Sequence, residues 1–198
     1  MSEITSALVK ELRERTGVGM MDCKKALEAN DGNIDAAIKY LREKGISKAE
    51  AKATRETREG LVYAYIHSNN KIGVLVEVNC ETDFVAKTDD FIQLCKDLAM
   101  QIAATNPLAL TPEEIDPAII EREREIATNK AINDKKPENI IPKIVEGHLA
   151  KYAKEHALME QEFIKDSTRT VKSLITDVVA KMGENVKINR FARFSIGD

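Results

Sequence analysis

"LVYAYIHSNNKIGVLVEVNCETDFVAK", residues 61–87, changes character twice along its length. Residues 61–66 and 72–78 are rich in β-branched and aromatic side chains, and "HSNNK" between them supplies good turn formers, so the stretch predicts a β-hairpin. In the second run Ile72, Val74, Val76 and Val78 share one face, as a strand's period of two requires. The alternation then stops. An acid, Asp83, stands beside a large aromatic, Phe84, before a helical period begins at Phe91. Connections run over the surface, where a Phe gains nothing from water. From pattern alone two readings stand. Phe84 and Val85 fold back as a hydrophobic staple for the next helix, or Phe84 is offered to another molecule.

Upstream of the hairpin the period is helical. Ile4, Leu8 and Leu12 form one stripe, "TGVG" (16–19) interrupts it, and a second helix is expected over Met20–Leu27, stopped by "NDGN" (30–33). Asn33 can cap a third helix bearing Ile34, Ala37, Ile38 and Leu41, with Gly45 as its expected C-terminal stop. The charged, Ala-rich stretch from Ile46 to Glu59 suits a solvent-exposed linking helix. Downstream, Thr88 is the expected N-cap of a helix carrying Phe91, Leu94, Cys95, Leu98 and Ile102. Further helices are expected over 118–133 and 138–157, and a last one carries Val171, Leu174, Ile175, Val178, Val179 and Met182 up to Gly183. "NVKINRFARFSI" (185–196) reads as a closing strand. The expected fold is α+β: an N-terminal three-helix bundle, then an antiparallel sheet of about three strands packed with helices. The expected domains are residues 1–54, the bundle with its linker helix, and residues 55–198, the α+β core.

Composition excludes several function classes. With 30 Lys and Arg against 33 Asp and Glu the net charge is −3, so the basic excess of a direct nucleic-acid binder is missing, and no Trp is present to stack on bases. No apolar run approaches the roughly 20 residues of a membrane span. The N-terminal stretch lacks the apolar core of a secretory signal, which points to the cytoplasm. Three cysteines, Cys23, Cys80 and Cys95, include no CxxC pair, and their odd number argues against a disulfide framework. No phosphate-binding GxxxxGK[ST], GxGxxG or GxSxG motif occurs, so no enzyme constellation can be assembled. His148 and His156 lie eight residues apart, too far for one metal without further ligands; neither a metal nor a cofactor is expected. Met20 and Met21 are neighbours on a helix, about 100° apart, so both cannot easily face inward; they fill the bundle core or form an adaptable contact surface.

Two stretches carry a resemblance. "LRERTGVGMMDCKKAL" (12–27) and "EVNCETDFVAK" (77–87) are similar to the two signature motifs of the elongation factor Ts family, exchange factors for the translational GTPase elongation factor Tu. "HSNNKIGVLVEV", "KPENIIPKIVEGHLAKYAKE", "QEFIKD", "TVKSLI" and "NRFARFSIG" extend the likeness over nearly the whole chain. The resemblance implies a non-enzymatic guanine-nucleotide exchange factor that binds GDP-bound and nucleotide-free elongation factor Tu, dislocates its Mg2+ and promotes GDP release so that GTP can bind. It further implies that Asp83 and Phe84 insert between helices of the partner's G domain, with Thr82 and Val85 fixing their geometry. Arg13, Met20 and Met21 are the implied bundle contacts, and His67, at the hairpin tip, a weaker second one. Longer family members carry a second copy of the sheet unit after the helix that follows this motif. Here "QIAATNP" runs directly into "TPEEIDP", and a homodimer whose second protomer supplies the equivalent sheet is the expected substitute. The bundle stretch "GVGMMDCKKALEANDGNIDAAIKYL" (17–41) also resembles the ubiquitin-associated (UBA)-like fold, which leaves a nascent-chain or client-binding module as the alternative function. That alternative gives residues 82–85 no role.

Overall fold

The computed structural model of the chain describes residues 4–197. Met1–Glu3 and Asp198, the extremes of the two expected domains, lie outside the described residues. The chain divides into two compact units, one of Met1–Tyr63, Glu77–Cys95 and Ser173–Asn189, the other of Ala64–Val76, Lys96–Lys172 and Arg190–Asp198.

The first unit begins with the expected three-helix bundle. Helix α1 (Ser6–Thr16) starts where Thr5 accepts a hydrogen bond from the Leu8 amide, and ends at Gly17, whose left-handed φ of 67° lets its N–H reach the Arg13 carbonyl. Helix α2 spans Met20–Ala29, and α3 (Ile34–Glu50) starts from Asn33, whose side chain accepts from the Ala36 amide at 3.0 Å. Val9, Leu12, Cys23, Ala26, Leu27, Ala37 and Leu41 form the bundle core.

Gly45 departs from expectation. It lies inside α3 rather than stopping it. A Cβ built there would stand 3.3 Å from the Cβ of Ala180, so the missing side chain makes room for a neighbouring helix. The linking helix expected over 46–59 also stops early: α3 ends at Glu50, residues 51–54 are turns and Arg55 is a bend. There the chain gives up helical bonds for an anchoring contact, described below.

The hairpin is as read, with β1 (Glu59–Ile66) and β2 (Ile72–Cys80) joined through a turn that Asn70 completes at φ 55°. Gly60 is required at its position: φ is 144°, and a Cβ would lie 2.1 Å from the Val78 carbonyl oxygen. A single helical turn, α4 (Asp83–Ala86), precedes α5 (Asp89–Thr105), and Thr88 caps α5 by accepting from the Phe91 amide. Helix α6 (Pro117–Asn133) opens on the Asp116 cap, and α7 (Ile141–His156) packs against it through Ala127, Val145 and Leu149.

A two-stranded sheet, β3 (Glu162–Phe163) with β4 (Asp166–Thr170), follows. It has no counterpart in the sequence reading, because a two-residue strand and the polar run "DSTRT" show no alternation. Helix α8 (Val171–Met182) ends at Gly183, with φ 79°, and β5 (Val186–Ser195) closes the three-stranded sheet in the order β1–β2–β5. Among the described residues there are thus eight α-helices and one three-stranded antiparallel sheet, the expected α+β class. No described helix is long and apolar enough to cross a membrane.

Candidate functional site

Strand β2 delivers the chain to residues 81–85, and the loop is held there by polar contacts. The Cys80 thiol donates to the Thr82 carbonyl at 3.1 Å. Thr82 caps α4 by accepting from the Val85 amide, while its hydroxyl donates to the Glu184 carboxylate at 2.6 Å. The second oxygen of Glu184 accepts from the backbone amides of Glu81 and Thr82, at 3.2 and 3.0 Å. One carboxylate therefore takes three hydrogen bonds from two consecutive residues. Ala86 is buried and pins the far end of the turn.

With both ends fixed, Phe84 points outward. It is 79% exposed, so it does not fold back as a staple. Asp83 beside it pairs with Lys87 at 2.6 Å on the exposed face of the same turn. The Lys87 ammonium, hydrogen-bonded to Asp83, holds that carboxyl below the usual carboxylate range, and Lys87 is raised in return. The tip therefore presents a benzyl group beside an ionised, cation-paired carboxylate.

On the bundle, Arg13, Met20 and Met21 are all exposed, Met21 by 67%. Neither methionine fills the core, which resolves the choice left open by their adjacency. Arg13 and Met20 line an open groove of about 740 Å³ together with Ser6, Lys10, Glu14 and Lys181; Met21 is not among its lining residues. Lys181 also reaches Asp90 at 2.7 Å. Residues 82–85 and the three bundle residues all belong to the first unit. His67 belongs to the second, where its ring is half-buried and its Nδ1 shares a 3.0 Å hydrogen bond with the Tyr65 hydroxyl.

The remaining histidines have local partners. His148 Nε2 lies 3.1 Å from Glu123, and His156 stacks on Tyr152 with its Nδ1 2.9 Å from the Tyr152 carbonyl. All three cysteines are free and buried. Burial pushes the Cys80 thiol up to about 11 and the Cys95 thiol to about 12. Among the described residues no group of three or more His, Cys, Asp or Glu side chains is placed to hold a metal ion.

Sequence reading missed Glu184 and Asn185, which follow Gly183 in an ordinary helix-ending turn. Nothing local marks them, since the residues they bind lie more than a hundred positions away.

The two motif regions thus present an exposed aromatic tip and an exposed Met-bearing bundle face. Comparison with known proteins gives the family to which these motifs belong. The family model described as Elongation factor TS matches residues 3–198. The chain belongs to the elongation factor Ts family. Proteins named Elongation factor Ts from Heliobacterium modesticaldum and Oleidesulfovibrio alaskensis are 57% and 55% identical to it, over 98% and 100% of this chain and 91% and 100% of their own. One from a Thermoanaerobacter species is 54% identical over 98% of this chain and 96% of its own. Elongation factor Ts proteins are elongation factors of protein biosynthesis, and this chain is one of them by family. Because the alignments also span nearly all of each relative, the passage from "QIAATNP" directly into "TPEEIDP" occurs in a length that these elongation factor Ts relatives share.

Proposed function

We propose that this elongation factor Ts family member is a non-enzymatic guanine-nucleotide exchange factor for elongation factor Tu, acting in the cytoplasm. It binds the GDP-bound GTPase, dislocates Mg2+ and releases GDP so that GTP can enter. The observation that carries this reading is the 79% exposure of Phe84 on a turn that Thr82 caps while bonded to Glu184. A GTPase holds GDP through backbone amides around the phosphates and through Mg2+ bridging protein and phosphate oxygens. Stabilising a conformation with those contacts broken makes factor and nucleotide mutually unfavourable by the same factor. Burying a Phe is worth about 1.5–3 kcal/mol. A tenfold loss of GDP affinity needs about 1.4 kcal/mol of coupling, so one inserted ring suffices in magnitude.

In this reading Asp83 and Phe84 enter the G domain, Thr82 and Val85 set their geometry, and Arg13, Met20 and Met21 dock the bundle. His67 is a second contact. Residues 1–54 serve docking, and residues 55–198 serve exchange and dimerisation. The second protomer replaces the sheet copy found in longer members. Support for that dimer comes from the apolar face in the second unit, where Ile66, Leu75, Phe194 and Ile196 are all exposed.

The test is release of a fluorescent GDP analogue from elongation factor Tu, with and without this protein. Acceleration that Phe84→Ala abolishes supports the exchange reading; no acceleration by the wild type removes it. Exposed Met20 and Met21 also favour a second reading, a UBA-like holder of nascent or client chains. Capture from a bacterial lysate discriminates: one GTPase near stoichiometric amount supports exchange, whereas many heterogeneous clients support a holder.

A further inference from the structure

The turn between α8 and β5 makes contacts in two directions. Toward the tip, Glu184 accepts from the Glu81 amide, the Thr82 amide and the Thr82 hydroxyl. Toward the bundle, the Asn185 side-chain amide donates to the carbonyls of Ala53 and Arg55, at 3.4 and 2.8 Å, just beyond the end of α3. The two arms are tied together. The Asn185 backbone N–H donates to the Glu81 carboxylate at 2.6 Å, and Arg55 reaches the same Glu81 oxygen at 3.5 Å. Asn185 is buried and Glu184 half-buried, so these bonds are partly shielded from water.

The chemistry suits a clamp. An ionised carboxylate only accepts, and its two oxygens offer about four lone-pair sites, enough for three converging donors. Hydrogen bonds to a charged acceptor are shorter and roughly twice as strong as neutral ones. Asn185 supplies what a carboxylate cannot, N–H donors for two backbone carbonyls of the turn that follows α3. Gly183, at φ 79°, allows the sharp reversal that points consecutive side chains at different segments.

We propose that Glu184 and Asn185 are positioning residues which hold the Phe84 tip at a fixed place relative to the three-helix bundle, so that docking of one aims the other. The inference rests on the exchange reading given above. A benzyl group on a four-residue turn has no rigidity of its own. Thr82, the residue that sets its direction, is anchored through Glu184.

The test measures GDP release from elongation factor Tu at saturating factor, and the half-saturating concentration, for wild type, Phe84→Ala, Glu184→Ala, Glu184→Gln and the Phe84→Ala/Glu184→Ala double variant. Loss of the three bonds in Glu184→Ala should lower the saturated rate about tenfold. Gln keeps one acceptor oxygen for the two amides, so Glu184→Gln should stay within about threefold of wild type. Because Glu184 acts through Phe84, the double variant should be no slower than Phe84→Ala alone. Amide hydrogen exchange at Glu81 and Thr82 should speed up in Glu184→Ala. If Glu184→Ala does not fold, Glu184→Asp, with the charge kept and the reach shortened, is read in its place.

A wild-type saturated rate in Glu184→Ala, with only a lower melting temperature, overturns the positioning role. So does a double variant slowed by the product of the single effects. In both cases a slow Phe84→Ala leaves the exchange reading standing. A Phe84→Ala variant as fast as wild type removes the exchange reading, and the positioning role with it.

Discussion

Phe84 carries its ring where removing it should disturb the fold very little, because 79% of the residue already faces solvent. Surface substitutions of this kind usually change stability by within about 0.5 kcal/mol. In the proposed exchange mechanism the same truncation removes about 1.5–3 kcal/mol of burial in the partner, which corresponds to a slowing of roughly 10- to 100-fold. Phe84→Ala should therefore unfold at a nearly unchanged temperature while the saturated rate of GDP release drops by at least tenfold; a fold that collapses, or an unchanged rate, contradicts the wedge. The buried thiols make a second prediction at this scale. Cys80 at about 11 and Cys95 at about 12 stay protonated near neutrality, so iodoacetamide should label them only slowly in native protein and readily in guanidinium, as read by mass spectrometry. The folded state holds these protons more tightly than the unfolded chain. Their contribution to stability is complete below the unfolded thiol value near 9 and is lost as pH rises through 11 and 12. The urea midpoint should accordingly fall on raising the pH from 8 to 11. Exposure decides what could be read from residues alone. "TDFV" declared an acid and an aromatic out of place, yet pattern could not say which way the ring turned. The answer lay in Glu184, whose two oxygens meet Thr82 across the fold.

At the scale of elements, helices with a clean period were legible and those shaped by a distant neighbour were not. The Val171–Met182 helix shows its apolar stripe in the sequence, and Asn33 and Thr88 announce their helices because capping is a local bond. Gly45 looks like a stop by the same local logic, but its role is set by Ala180 on α8. Gly45→Leu should force α3 and α8 apart. Overpacking of this kind costs about 1–3 kcal/mol, offset by up to about 1 kcal/mol of helix propensity. The net loss should appear as a melting temperature lower by several degrees, at about 2–4 °C per kcal/mol for a chain of this size. Gly45→Ala is the control. Its Cβ needs a shift of only a few tenths of an ångström from Ala180, and propensity compensates, so it should melt close to wild type. A Leu variant as stable as the Ala variant shows that the helices are not in close contact. The β3–β4 pair escaped notice for a related reason: its register, Glu162 with Thr170 and Phe163 with Asp166, is set by pairing rather than by any alternation along either strand.

At the scale of the whole molecule, the open question is what covers the second unit's apolar sheet face. β1, β2 and β5 lie side by side in that order; toward one end they expose Ile66, Leu75 and Phe194, and Ile196 just past β5 is exposed too, the last two by 69% and 75%. Gly73 extends the flatness of this surface, since a Cβ there would sit 3.2 Å from the Ile66 Cδ1 that lies over it. Large apolar side chains exposed together at one end of a sheet are the kind of surface that the proposed dimer would cover. A second copy of the same face is the partner that a chain of this length can always supply, and a two-fold interface needs only self-complementarity. The proposed dimer should weigh twice the 22.1 kDa chain mass by light scattering or sedimentation equilibrium at micromolar concentration. Placing a charge on the edge strand of that face should undo it. Phe194→Asp removes an aromatic anchor and buries an unpaired carboxylate, a change expected to weaken association about hundredfold or more. The substituted side chain is exposed in the single chain, so the monomer should keep its circular dichroism and melting behaviour. A wild-type protein that is strictly monomeric at micromolar concentration yet fully active in GDP release eliminates the dimer, and the missing sheet copy then has no substitute because none is needed. A dimer that Phe194→Asp leaves intact places the interface elsewhere on the molecule.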